Sequence, residues 1–121
     1  MTQIHSHSSS TRGLVAYQVA LELARAIRPL LPLLGRWDAS LADQVRRAVV
    51  SVPLNLAEAK RRTGRDRAHL LTVALGSASE VRAALEVAVA LGALDEGVTA
   101  EALALTDRVN ALLFGLRRQV G

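Results

Sequence analysis

The sequence predicts an all-α protein, an antiparallel up-down four-helix bundle. Hydrophobic residues recur at steps of three and four through four segments, and no segment alternates long enough for a strand. Half of the 121 residues are hydrophobic, yet Tyr17, Trp37 and Phe114 are the only aromatics. Leu, Val and Ala must therefore fill the core, which favours close helix–helix packing over a sheet. Four helices joined by short connections most simply form an up-down bundle.

The first twelve residues are polar, rich in Ser and His, and lack hydrophobic periodicity. They predict a disordered tail over residues 1–12, followed by a four-helix bundle domain over residues 13–121. His5 and His7 could bind a metal weakly, but an unstructured tail explains them better. The tail has no apolar segment of the secretory-signal type.

The first predicted helix runs from Leu14 to Leu34. Its apolar stripe comprises Leu14, Tyr17, Leu21, Ala24, Ile27, Leu31 and Leu34. Pro29 removes a backbone donor, so the helix either kinks there or ends near Arg28. Gly35 is the predicted stop.

The second predicted helix begins near Ser40, with Asp43 three residues later, or is capped instead by Asp38. One stripe of this helix comprises Leu41, Val45, Ala48, Val49, Val52 and Leu56. A second stripe comprises Val50, Pro53, Leu54 and Ala57. A helix that is apolar on two sides must bury both, so the second stripe requires a further helix or a second subunit.

Pro53 predicts a kink in this second helix, because it leaves the carbonyl of Val49 without its usual donor. Polar side chains lie close enough to repair such a break. The residues interpreted as this structural polar seam are Ser51, Asn55, Glu58 and Glu80. We expect Glu58 and Glu80 to pair with Arg46, Arg47 or Arg82 rather than to act in chemistry.

The third predicted helix runs from about Asp66 to Leu94, with Thr63 as its cap. Its main stripe comprises Leu70, Val73, Ala74, Ser77, Ala78, Val81, Leu85, Ala88 and Leu91. A ridge of small residues, Gly76, Ser79 and Ala83, would allow close helix approach. Thr99 is the expected cap of the fourth helix, whose stripe comprises Leu105, Val109, Leu112, Leu113, Leu116 and Val120.

Positive charge is concentrated around the end of the second helix and the following loop, in a chain of net charge +4. The candidate nucleic-acid-binding residues are Arg46, Arg47, Lys60, Arg61, Arg62, Arg65 and Arg67. Phosphate contacts from such residues would be independent of base sequence and sensitive to salt. A basic face that is merely solvated is the alternative interpretation.

Several functional classes lack their motifs. The chain has no cysteine, no Glu-x-x-His pair for a di-iron site, no P-loop and no dinucleotide-binding glycine motif. We therefore predict a protein that is not an enzyme and has no catalytic residues, cofactor or metal site. The longest apolar stretches fall short of the ~20 residues that span a bilayer, so we expect a cytoplasmic protein without a membrane partner.

Two segments resemble a known family. QVRRAVVSVPLNLAEA, a basic loop, and LLTVALGSASEVRAALEVAVALGAL resemble the bacterial four-helix bundle proteins encoded in intervening sequences of the large-subunit rRNA gene. The matching positions are Gln44, Val45, Arg46, Arg47, Ala48, Ser51, Val52, Asn55, Leu56, Ala57, Glu58, Ala74, Gly76, Ser77 and Glu80. Ala59 departs from a position that is usually glycine, and Pro29 and Pro32 stand where many members have plain helix.

The resemblance implies a bundle that assembles into a ring, typically a homopentamer. A distant relative, the accessory protein of diversity-generating retroelements, looks like a basic pentameric barrel that binds nucleic acid and a reverse transcriptase. We accordingly expect a homo-oligomeric, nucleic-acid-binding or adaptor module that uses a basic surface. Its expected partners are itself, RNA or DNA, and a nucleic-acid-processing protein. The alternative is a structural assembly protein that binds another protein.

Overall fold

The computed structural model describes the backbone of residues 2–120 and the side chains of residues 11–120, and these contain five α-helices and no strand. The helices are α1 (Thr2–Ile27), α2 (Leu30–Trp37), α3 (Ala39–Ala59), α4 (Gly64–Ala90) and α5 (Glu96–Val120). The prediction of an all-α fold is confirmed. The count differs from the four helices expected, because the first predicted helix is divided into α1 and α2.

The four long helices pack in a closed cycle around one hydrophobic core. α1 contacts α3 and α5, α4 contacts the same two helices, and the short α2 lies against α3. The largest fully buried side chains come from all five helices: Val19, Leu23, Ile27, Leu34, Val45, Val52, Leu71, Val81, Leu85, Val109, Leu113 and Leu116. The core contains no buried aromatic side chain among the described residues, as the composition predicted.

Pro29 decides the break between α1 and α2. The last α1-type bond runs from the Arg28 N–H to the Ala24 carbonyl at 3.0 Å, and α2 begins at Leu30. Pro32 lies in the first turn of α2, where a backbone N–H would have no partner within the helix, so it does not interrupt α2. The predicted stop at Gly35 is wrong, because α2 continues to Trp37 and ends where Asp38 becomes extended.

The buried face of α1 is rotated from the predicted stripe. Its buried residues are Ala16, Val19, Ala20, Leu23 and Ile27. Leu14 and Tyr17, which were expected in the core, are 56% and 37% exposed. Local spacing therefore indicated the period of this stripe but not which face of α1 is buried.

The structure begins α1 at Thr2, and the disordered tail predicted for residues 1–12 stays a prediction. No proline interrupts residues 2–27, so the backbone hydrogen-bond ladder can continue through them. Arg12 belongs to the packed part, because a Cβ added to Gly115 of α5 would lie 2.9 Å from the Arg12 Nη1. His5 and His7 lie outside the described side chains, and the domain boundary stays a prediction for the residues before Arg12.

α3 begins one residue after Asp38, whose carboxylate accepts hydrogen bonds from the Ser40 N–H at 2.9 Å and the Leu41 N–H at 3.3 Å. Asp38, the alternative cap that the sequence offered, is thus confirmed, and α3 starts at Ala39, one residue before Ser40. The helix runs through Pro53 without interruption.

The two apolar stripes of α3 have different environments. The first is confirmed as core, with Leu41 half-buried and the other members buried. In the second, Pro53 is buried whereas Val50, Leu54 and Ala57 are exposed. The described residues of this chain therefore leave most of the second stripe uncovered.

α4 begins at Gly64, two residues before the predicted start, and Thr63 precedes it in an extended conformation without a side-chain capping bond. It ends at Ala90 rather than Leu94, because Gly92 adopts a φ of +82° and the Ala93 N–H turns back to the Ala88 carbonyl at 2.8 Å. The predicted ridge of small residues is exposed at Gly76, Ser79 and Ala83.

α5 is capped by Asp95, not by Thr99 as the sequence suggested. The Asp95 carboxylate accepts from the Gly97 N–H at 2.7 Å and the Val98 N–H at 3.2 Å. Thr99 is buried inside the first turn, where its hydroxyl donates to the Glu96 carbonyl at 3.1 Å. The helix therefore starts three residues earlier than Thr99.

Candidate nucleic-acid interface

The connection between α3 and α4 is a tight basic turn. The Arg61 N–H donates to the Glu58 carbonyl at 3.0 Å, and the Arg62 N–H donates to the Ala59 carbonyl at 3.1 Å, so the end of α3 tightens into three-residue turns. Gly64 supplies the left-handed residue, with a φ of +55°. The chain thus turns at Gly64, and α3 ends on the buried Ala59.

Four of the predicted cations lie in or beside this turn without a carboxylate partner. Lys60, Arg61 and Arg65 are exposed, and Arg67 is half-buried in the first turn of α4. Among the described side chains of residues 11–120, none forms an ion pair with any of the four. Their charges are therefore available to an external anion.

The other three predicted cations are already paired. Arg62 contacts Glu58 at 2.7 Å, while Arg46 and Arg47 contact Asp43 at 2.5 and 3.2 Å. The hydrogen bond from Arg46, assisted by the charge of Arg47, lowers the pKa of Asp43.

Arg46 and Arg47 also lie away from the turn. They precede Arg61 by fifteen and fourteen residues, which corresponds to about 21–22 Å along an α-helix at 1.5 Å per residue. The seven predicted residues therefore do not form one patch in a single chain. The cluster at the turn comprises Lys60, Arg61, Arg62, Arg65 and Arg67.

The polar seam connects α3 to α4, but with a different membership from the one predicted. The Asn55 Nδ2 donates to the Ser51 carbonyl at 2.8 Å and to the Ser51 Oγ at 2.9 Å. The Ser77 Oγ of α4 donates to the same Ser51 Oγ at 2.7 Å. The sequence analysis placed Ser77 in the apolar stripe and among the family-like positions, but not in the seam; its place one turn before Glu80, within the family-like GSxxE segment, was the available signal.

Glu58 and Glu80 do not form the expected ion pairs. Glu58 pairs with Arg62, one turn along α3, and Glu80 is exposed with no ion-pair partner among the described side chains. Arg82 instead bridges α4 to α5 by contacting Asp107 at 2.5 Å, and it also lies 3.6 Å from Glu86. The expected pairing of Glu80 with Arg82 fails because the Arg82 side chain extends towards α5.

A cleft of about 940 Å³ opens beside the basic turn. Its walls come from the early part of α1, the end of α3, the start of α4 and the end of α5. The lining residues are Gly13, Leu14, Tyr17, Leu56, Ala57, Ala59, Lys60, Arg61, Arg67, Leu71 and Leu116. Sequence reasoning missed Leu14 and Tyr17 here, because their spacing fitted a core stripe.

The described part of the chain contains neither a metal-binding cluster nor a membrane-spanning helix. Within residues 11–120, no three His, Asp or Glu side chains come together in an arrangement that could hold a metal ion. None of the helices in the described residues has the length and apolar character needed to cross a membrane.

The fold is similar to that of a protein of known structure. A crystal structure at 1.70 Å of a protein with unknown function from the S23 ribosomal protein family of Bacteroides thetaiotaomicron superposes with a TM-score of 0.79. That likeness has 23% sequence identity and covers 88% of this chain and 98% of the other. No curated protein matches the sequence. The sequence pattern of the 23S rRNA-intervening sequence protein family matches residues 12–115, and the chain therefore belongs to that family.

Proposed function

We propose that this chain is a non-enzymatic, homo-oligomeric helical bundle that binds nucleic acid, directly or as an adaptor, through the basic turn. The supporting observation is that Lys60, Arg61, Arg65 and Arg67 have no carboxylate partner among the described residues. Cations that are not neutralised within the protein can displace counterions from phosphates, which supplies sequence-independent affinity.

The paired cations contribute less in this proposal. Arg46, Arg47 and Arg62 would have to release Asp43 or Glu58 before they could contact a phosphate. Exposed ion pairs are weak, so breaking them costs little free energy, but that cost still reduces the affinity for phosphate. We therefore expect the basic turn to contribute more to nucleic-acid binding than the start of α3.

The choice of nucleic acid follows from chemistry and from the names of related proteins. Phosphates are common to RNA and DNA, so the basic turn itself does not select between them. The family is named after an intervening sequence of 23S rRNA, and the solved relative is assigned to a ribosomal protein family. These names favour RNA as the first ligand to test. A nucleic-acid-processing protein is a further partner in this proposal.

Assembly would multiply the basic surface. The meeting of the early part of α1 with the end of α3, and of the start of α4 with the end of α5, supports an antiparallel four-helix bundle. In this proposal α3 is kinked at Pro53, and Val50, Leu54 and Ala57 pack against a second copy in a ring, a homopentamer. The exposure of these three apolar residues supports a subunit contact.

The native mass tests the ring. Light scattering on a sizing column is expected to give about five times the chain mass, and Leu54→Glu is expected to lower it, because a carboxylate would be buried at the contact. Glu80→Gln, at another exposed helical site, is the control. A monomeric wild-type protein would contradict the ring.

Filter binding to RNA and DNA at two salt concentrations tests the nucleic-acid function. Replacing Arg61 and Arg65 together by Ala is expected to weaken binding and to reduce the salt slope by about two. The matched control replaces Arg28 and Arg36, two exposed cations away from the turn. Equal effects of the two double variants would mean that total charge, not the turn, governs binding.

A second candidate is a structural assembly protein that binds another protein, with the basic face merely solvated. Its supporting observation is a set of exposed apolar side chains away from the turn, in particular Trp37, Val87 and Leu91, which are 46%, 48% and 59% exposed. Loss of a protein partner on Trp37→Ala, without any salt-sensitive binding to RNA or DNA, would favour this function.

A further inference from the structure

The cleft beside the basic turn has an apolar wall that contains an aromatic ring. Tyr17 is 37% exposed, Leu14 is 56% exposed, and both line the cleft together with Leu116. A volume of about 940 Å³ is within the range of small-molecule sites. This wall can accept a flat, largely apolar group.

The other side of the cleft is basic. Lys60, Arg61 and Arg67 contribute to the lining, which includes no acidic residue. The Arg67 Nε is shielded from solvent, and no described protein group accepts a hydrogen bond from it. Because this donor has no acceptor inside the described part of the protein, a change of the Arg67 rotamer that turns the guanidinium to an acceptor in the cleft is favourable, and an anionic oxygen is the strongest such acceptor.

We propose that this cleft binds one nucleotide unit, with the base against Tyr17 and Leu14 and the phosphate held by Lys60, Arg61 and Arg67. Bases stack on aromatic side chains regardless of sequence, and guanidinium and ammonium groups bind phosphate. The inference rests on the proposed function and deepens it, because it names the part of the nucleic acid that is recognised.

The cleft suits a nucleotide better than a simple anion. A phosphate alone would leave the apolar wall unused, whereas a nucleotide engages both sides of the cleft. Arg65 is exposed in the same basic turn but does not line the cleft, so it is free to neutralise a further phosphate of a strand. A base that is stacked and paired in a duplex cannot enter the cleft, so the nucleotide must be unpaired or free.

The experiment compares ligands that differ only in the availability of the base. Fluorescence anisotropy is measured with short oligouridine, oligothymidine and a blunt duplex, and uridine monophosphate is titrated separately by calorimetry. The variants are Tyr17→Ala, Tyr17→Phe and Arg67→Gln, and Trp37→Ala is the control for loss of an exposed aromatic away from the cleft. Circular dichroism and native mass are recorded for each variant.

The expected result is tighter binding of single strands than of the duplex. Tyr17→Ala weakens single-strand binding about tenfold, while Tyr17→Phe and Trp37→Ala leave it unchanged and duplex binding does not respond. Arg67→Gln weakens both single strands and uridine monophosphate. Binding of the monophosphate alone, sensitive to Tyr17→Ala and Arg67→Gln, assigns the cleft to a free nucleotide.

Failure of the inference can be separated from failure of the proposed function. Suppose that the Arg61 and Arg65 double variant no longer binds nucleic acid but that Tyr17→Ala binds single strands normally. The proposed role of the basic turn is then supported, and the cleft assignment is overturned. If the wild-type protein binds neither strands nor duplex, the proposed function fails. Absence of uridine monophosphate binding then overturns the cleft assignment as well. A changed native mass for Tyr17→Ala also overturns it, because the wall would then be a subunit contact.

Discussion

Asn55→Ala tests how much the polar network around Ser51 stabilises the fold. In the folded chain the Asn55 amide donates hydrogen bonds to the carbonyl and to the hydroxyl of Ser51 within α3, and Ser77 of α4 donates a third bond to the same hydroxyl. Removing the amide deletes the two bonds within α3. The Ser51–Ser77 bond, which alone joins α3 to α4 in this network, then loses the support of the Asn55 amide at Ser51.

The expected loss is about 1–2 kcal/mol. Two part-buried hydrogen bonds contribute about 1 kcal/mol each, and the higher helix propensity of Ala returns roughly 0.5 kcal/mol. Urea unfolding followed by circular dichroism measures the change as a lower midpoint at an unchanged slope. All variants are compared at one protein concentration, because assembly makes apparent stability depend on concentration.

Gln44→Ala is the matched control, since Gln44 is an exposed amide on the same helix that takes no part in the hydrogen bonds at Ser51. Its effect should stay within about 0.5 kcal/mol. Combining Asn55→Ala with Ser77→Ala should give less than the sum of the single losses, because both bonds converge on Ser51. Equal stabilities of Asn55→Ala and Gln44→Ala would refute the reasoning.

Three further outcomes follow from the packing, the cap and the charge pairs. Leu85→Ala should lower the free energy of unfolding in urea by about 2–5 kcal/mol, because Leu85 is fully buried. The same change at the exposed Leu91 should alter it by no more than about 0.5 kcal/mol. Similar losses for the two variants would contradict the assigned core. Asp38→Ala should cost about 1 kcal/mol and reduce helicity at the start of α3, and a neutral result would rule out its capping role. The pKa of Asp43 is lowered by the Arg46 hydrogen bond, so the charged carboxylate favours the fold above its unfolded pKa, and this contribution disappears as pH falls through the folded pKa. NMR titration should show a higher Asp43 midpoint in Arg46→Ala, and an unchanged midpoint would exclude the pairing.

Helical periodicity predicted the buried residues correctly where only one face of a helix is buried. The main stripes of α3 and α5 were read correctly because Val45, Val52, Val109 and Leu113 recur at steps that project to one side. The division at Pro29 was left open by the sequence. Both a kink and a break satisfy the missing donor, and only the packing of α2 on α3 selects the break.

The candidate site, like the fold, could be predicted from the sequence only in part. The basic composition of the turn could be read from the chain, but the separation of paired from unpaired cations could not, because it depends on which carboxylate each long side chain reaches. Glu80 illustrates this: it was expected to pair, yet Arg82 contacts Asp107 on α5 instead. The cleft was equally invisible, since its lining comes from four helices that are distant in sequence.

The sequence by itself determined the helical class, the first stripe of α3, most of the hydrophobic faces of α4 and α5, and the basic turn, because these depend on residue type and local spacing. Leu91, which was predicted in the α4 stripe, is 59% exposed. Tertiary structure alone decided that α1 buries Ala16, Val19, Ala20, Leu23 and Ile27 and leaves Leu14 and Tyr17 at the cleft. The physical reason is that local spacing fixes the period of a helical stripe but not the rotation of the helix against α3 and α5.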